Sequence, residues 1–393
     1  MPRFTPFPAL RYRSNDLTDL IAPPYDVLSE AELDELNARS PQNITHVDVP
    51  REDKGPARYD QAAATLKTWI ADEVMVADEI PTFTIYRLTF ADATGADREI
   101  VGVLGGCEVG PYGATGVHAH ERITPKASTD RLDLTRATDA NLSPIWGLSL
   151  ATGLTDLLVA PGELLASIPI DGVTHTVERI ADPDRVAAIS SHIASDDIVI
   201  ADGHHRYGVA QQHRDDVRAT GDTDSAAEET LMFVSELVEQ QLSVEAIHRL
   251  YSSITADHLL GALSSGFDTA PAGTVDDATL AQMNERNALC FVEANGSGTW
   301  LTPKQGAFNN VRSLDGVWLE HLLAGVDHDV SYQHGVDRVV DAVKSGAAAA
   351  AVLIRPVSIA EIQRTAREGI VMPPKSTFFT PKLLTGLVIR QLR

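Results

Sequence analysis

Residues 196 to 216 constrain the fold more tightly than any other stretch of the chain. Ile198, Val199, Ile200 and Ala201 form an apolar run of strand length, and it stops abruptly at Asp202 and Gly203. His204, His205, Arg206, Tyr207 and Gly208 follow, and the chain then continues through Ala210, Gln211 and His213 in a helix-compatible texture. This reads as a buried strand ending in a polar loop that opens a helix. Gly203 relaxes the backbone at the turn, so main-chain N–H groups can approach a ligand, and the helix N-terminus adds its dipole. Such a corner suits an anion. Two imidazoles and a guanidinium within three residues supply donors for phosphate oxygens, with Arg206 able to bind bidentately. The competing reading makes His204 and His205 an ordinary polar turn.

Composition narrows what the anion can be. The 393 residues are 44% hydrophobic, enough for a sizeable core divided into two or three structural units. With 32 basic against 55 acidic residues the formal charge is −23, so the average surface repels a nucleic-acid duplex or an anionic membrane. Distant like charge is screened beyond about 10 Å at ordinary salt, so a local basic pocket can still bind a nucleotide. Only Cys107 and Cys290 occur, which gives neither a disulfide framework nor a zinc pattern and fits a reduced cytoplasm. No window approaches the roughly 18 apolar residues of a membrane span, and Met1 to Arg13 lacks a signal-length apolar segment. The oligomeric state stays open, a homo-oligomer included.

Two further polar clusters stand out. Ala22, Pro23, Pro24, Tyr25 and Asp26 form a rigid loop, because two prolines fix φ and withhold ladder donors, and it presents Tyr25 and Asp26 in a set geometry. Ser29 reads as an N-cap with Glu32 at the capping-box position. Residues 116 to 135 bring His118, His120, Glu121, Arg122, Lys126, Asp130 and Arg131 together with few apolar interruptions, and a helix opens near Asp130. The alternative for this cluster is a solvated loop and an exposed helix face. A metal reading of His118 and His120 finds no ligand-spaced set to complete it, though His204 and His205 could contribute, so no metal ligands are assigned.

Elsewhere His46 to Asp53 reads as a short strand and turn, and Tyr59 to Ala71 as a helix burying Ala62, Leu66 and Trp69. Residues 82 to 88 and 99 to 109 read as the strands of a hairpin, and 186 to 194 as a helix before the central strand. The expected class is α+β with mixed sheets. Residues 1–252 form a core region carrying the polar motifs, and 253–393 a second α+β unit whose C-terminal segment can return to the core.

Asp202 to Arg206 resembles the signature loop of ParB-like proteins, which sulfiredoxins and archaeal free serine kinases carry in variant form. The wider pattern is similar to a prokaryotic family known as a domain of unknown function. That pattern comprises Ala22 to Val27, His120-Glu121-Arg122 with Pro125-Lys126, Asp130-Arg131-Leu132, Ala201 to Tyr207, Pro381-Lys382 and Thr385-Gly386-Leu387. The resemblance spans nearly the whole chain. It implies a ParB/sulfiredoxin-like core and, through the serine kinases, phosphoryl transfer to a small hydroxylated metabolite such as free serine.

Phosphoryl transfer needs a phosphate cradle, a cation and a carboxylate that orients or deprotonates the acceptor. Gly203, His204, His205 and Arg206 are the expected cradle, with Arg122, Lys126 and Arg131 offsetting charge. Glu121, Asp202, Asp26 and His120 are the catalytic candidates, and Tyr25, Tyr207 and Lys382 are expected at the substrate or in its loops. The expected ligands are ATP or ADP, Mg²⁺ carried by the nucleotide, and a small-molecule substrate. The alternatives are a ParB-like nucleotide sensor without DNA binding and a metal-dependent hydrolase using the histidines. No P-loop of the form GxxxxGK[ST] occurs.

Overall fold

In a computed structural model describing residues 1–51, 55–92, 95–122 and 128–393, Phe83–Ala91 and Asp97–Glu108 form a long antiparallel hairpin with Ile85 opposite Val103. The chain divides into two compact units, Met1–Ser243 with Ala366–Ile370 and Pro381–Arg393, and Val244–Thr365 with Val371–Thr380.

The first unit is built on a nine-stranded mixed sheet. Its path runs Val117–Ala119, Ile198–Asp202, Ile145–Ser149, Glu229–Glu236, Asp97–Glu108, Phe83–Ala91, Val173–Ile180 and Glu163–Ile170, with Phe4–Thr5 also paired to Asp97–Glu108. Val117–Ala119 lies parallel to Ile198–Asp202, and Ile145–Ser149 parallel to Glu229–Glu236, while the other pairs are antiparallel. Ile198, Val199 and Ile200 are fully buried, as expected of an interior strand with few polar side chains. One face packs Ile198 and Ile200 with Phe83, Ile145, Met232 and Tyr207.

Helices surround this sheet where the periodicity places them. Glu30–Arg39 starts with the anticipated capping box, in which Glu32 N–H donates to Ser29 Oγ and Ser29 N–H to Glu32 Oε2. Ala57–Ala71 buries Ala62, Leu66 and Trp69, and Pro183–Ile193 leads into the central strand. The expected strand at His46 to Asp53 is a correction: Thr45–Asp48 is a single helical turn. Asn43 Oδ1 accepts from the Thr45 N–H, and the Val47 and Asp48 N–H groups bond back to Ile44 O, which closes the turn before a ladder can form.

The second unit carries a six-stranded antiparallel sheet in the order Phe267–Thr274, Ser297–Pro303, Leu289–Val292, Ala350–Leu353, His248–Ser252 and Asp329–Gln333. Alternation along Leu289–Val292 sends Leu289 and Phe291 into one apolar cluster and Cys290 and Val292 into another. Val336–Lys344 covers the second cluster with Val336, Val339, Val340 and Val343, at the i, i+3, i+4, i+7 spacing of one helix face. Among the described residues no helix is long and apolar enough to cross a membrane.

Candidate functional site

The corner expected to bind an anion forms as its residue order requires. Strand Ile198–Asp202 ends at Gly203, whose φ of 91° is left-handed, and helix His204–Ala219 starts at the next residue. No side chain caps this helix, and its first turn holds no acidic residue, so the positive end of its dipole is not offset from within the helix. A Cβ on residue 203 would stand 3.0 Å from the Arg206 guanidinium, so the missing side chain also makes room for that group.

Asp202 is the centre of the charge arrangement. Arg206 Nη2 donates to Asp202 Oδ2 at 2.5 Å, and Lys382 Nζ donates to Oδ1 at 2.7 Å, so each carboxylate oxygen holds one cation. Burial opposes the Asp202 charge, yet Lys382, Arg206 and His204 outweigh it and hold the carboxyl well below the usual range. Asp202 is therefore held as a carboxylate that anchors two cations. Arg206 is likewise not a free phosphate clamp. Its Nη1 donates to Pro144 O, so it is oriented from two sides.

The 116–135 cluster meets this corner. His118 lies on Val117–Ala119, and its Nε2 is 2.9 Å from Asp197 Oδ2. His120 is fully buried, with Nδ1 2.5 Å from Ile200 O and its ring 4.9 Å from that of His204 in an edge-on contact. Burial lowers the His120 pKa, with Glu121 and Asp202 acting in the opposite direction. Glu121 thus sits in the field of the imidazole pair, while Arg122 is exposed and His205 is half-buried. Lys126 lies outside the described residues. Among the described residues, no group of three or more His, Cys, Asp or Glu side chains could hold a metal ion.

The N-terminal loop closes the other side. Arg131 stacks over the Tyr25 ring at 4.0 Å, donates from Nη1 to Asp48 O at 2.7 Å and Oδ1 at 3.3 Å, and donates from Nε to Asp130. Asp130 also accepts from Arg58 and from the Tyr59 hydroxyl. Burial raises the pKa of Asp48, and Arg131, Arg206 and Ser143 pull it back. Asp26 is exposed, close enough to Arg206 and Tyr25 to act on both electrostatically. Thr385 and Ala22 exchange backbone hydrogen bonds, which brings the C-terminal motif against the Pro-Pro-Tyr-Asp loop.

Tyr207 is the clearest departure from the expected roles. It is completely buried, and its hydroxyl accepts from Gly110 N–H at 3.1 Å and donates to Gly110 O at 3.0 Å. Its work is to anchor the helix beneath the corner. Asp48 and Ser143 were not among the sequence candidates, since an isolated Asp or Ser between apolar residues carries no spacing signal. The combination of a charged residue inside the apolar run Val47 to Val49 was the one available clue.

The family described as "Protein of unknown function (DUF1015)" matches residues 4–317. No curated protein matches the chain. Similar solved structures include a conserved hypothetical protein from Pyrococcus furiosus, at 10% identity over 74% of this chain and 95% of that one, with a TM-score of 0.40. A free serine kinase in complex with AMP is similar at 9% identity, over 74% of this chain and 91% of that one, with a TM-score of 0.41. SbnI with a C-terminal truncation, from Staphylococcus aureus, is similar at 14% identity over 72% and 86%, with a TM-score of 0.39.

Proposed function

The chain belongs to the DUF1015 family, whose description names no activity, and from the chemistry of its corner we propose a nucleotide-dependent phosphotransferase acting on a small hydroxylated metabolite. One observation carries this reading: Asp202, gripped by Arg206 and Lys382, stands beside a helix N-terminus that no side chain caps. The N–H groups of His204, His205 and Arg206 would receive a phosphate, and the second polar shell of Lys382 and Arg206 would offset charge that develops on transfer. Mg²⁺ delivered with ATP or ADP would neutralise the phosphate oxygens. Glu121 and Asp26 are then the carboxylates left to take the acceptor proton, with His120 and His204 shaping the wall beside them. The fold assignment that accompanies this reading is a ParB/sulfiredoxin-like core within the first unit.

The test is calorimetric titration with ATP, ADP, CTP and GTP, with and without Mg²⁺, on the parent and on Lys382→Met. Micromolar binding by the parent, weakened about ten-fold in the variant (roughly 1.4 kcal/mol), is expected. Phosphorus NMR on mixtures with hydroxylated acids and amino acids then identifies the acceptor. Binding without any phosphorylated product would favour the sensor, and a folded parent that binds no nucleotide would sink both.

A further inference from the structure

A second feature of the first unit also involves Arg206. A cavity of about 50 Å³ is lined by Tyr25, Asp48, Arg131, Ser143, Arg206 and His213, among others. That is room for roughly three to five water-sized groups. Its polar groups are unequally satisfied. Asp48 accepts from Arg131 and Ser143, and Ser143 accepts from Thr385. His213 is 6% exposed, and its Nδ1 is buried with no hydrogen-bond partner. Arg131 commits Nη1 and Nε to Asp48 and Asp130, while Nη2 has no partner among the described residues. A buried imidazole nitrogen is costly unless something polar meets it, and the second Arg131 arm can take a further oxygen. Two of the walls also belong to the corner, since Arg206 holds Asp202 and Tyr25 precedes Asp26 in the chain.

We infer that this cavity binds the non-reacting end of the phosphate acceptor, and that the acceptor is a short hydroxy acid of two or three carbons. Its carboxylate meets Arg131, a polar atom meets His213 Nδ1, and its hydroxyl lies at the Tyr25–Arg206 end. The guanidinium selects an oxygen anion over a neutral polyol, because the charge-assisted bond is the stronger one. This assignment rests on the phosphotransferase reading for the word acceptor, although the binding itself is measurable without nucleotide.

The experiment titrates the full-length parent, His213→Leu and Ala210→Leu with glycolate, and with glycerol as the uncharged control; Ala210 also lines the cavity. ATP binding is measured in parallel. The expected result is glycolate binding by the parent at least ten-fold tighter than glycerol, weakened about ten-fold by His213→Leu and lost when Ala210→Leu fills the space, with ATP affinity unchanged in both variants. Glycolate that binds the parent no better than glycerol, or binds folded variants as well as the parent, overturns the inference and identifies the cavity as a water site. The parent comparison decides the matter if either variant fails to fold. Loss of ATP binding in the parent bears on the phosphotransferase reading alone.

Discussion

Gly203→Ala perturbs the corner at its most constrained atom, and Gly208→Ala in the same helix provides the control. Residue 203 has a φ of 91°, where a side chain costs about 1–2 kcal/mol, and the new Cβ would stand 3.0 Å from the Arg206 guanidinium. Gly208 has no positive φ and nothing within 4 Å of its ideal Cβ. Alanine there should stabilise the helix by about 0.5–1 kcal/mol through propensity alone. The two substitutions are chemically identical, so their opposite signs isolate the turn. For a unit of this size Gly203→Ala should lower the melting temperature by roughly 2–8 °C, and Gly208→Ala should raise it by roughly 1–4 °C. Displacing the guanidinium also loosens its grip on Asp202, so Gly203→Ala alone should weaken ATP binding, by about ten-fold. Differential scanning calorimetry and ligand titration read the two effects separately. The reasoning fails if both variants move stability in the same direction, or if Gly203→Ala binds ATP as the parent does.

Acid should weaken both units. His175, in contact with Tyr86, and His248 each have a pKa lowered to about 4, chiefly by burial, with Arg249 and His334 adding to the effect at His248. The unfolded chain takes these protons near pH 6.5, so it binds more protons than the native state between the two values. Stability is therefore intact above pH 6.5 and falls as pH drops towards 4, by about 3 kcal/mol per histidine once both values are passed. Urea midpoints at pH 7.0 and 5.0 measure the slope, and a parent and a His175→Gln variant with equal slopes would remove His175 from the account. Asp48→Asn leaves the buried Arg131 with Asp130 as its one charged partner among the described residues, for an expected loss of about 3 kcal/mol in chemical denaturation. A loss below about 1 kcal/mol would show that Asp48 is neutral in the native state.

Much of the corner was written in local order. An apolar run, an Asp-Gly break and a helix-compatible continuation determine strand, turn and helix without distant contacts, because each step follows from side-chain periodicity and glycine's access to left-handed backbone. The capping box at Ser29 was equally legible for that reason. Partnership was decided only by the tertiary fold. Arg206 looks like a phosphate ligand in sequence, but Lys382, 180 residues beyond Asp202, makes the carboxylate a shared anchor for two cations. Tyr207 stands among the candidate site residues in the chain and yet points at Gly110, since a helix sends neighbouring residues to different faces. Asp48 gained its place through Arg131 and Ser143, which approach it from 83 and 95 residues away. Sequence periodicity specifies which face a side chain occupies, while the identity of the charge across from it depends on chain crossings that no local pattern records.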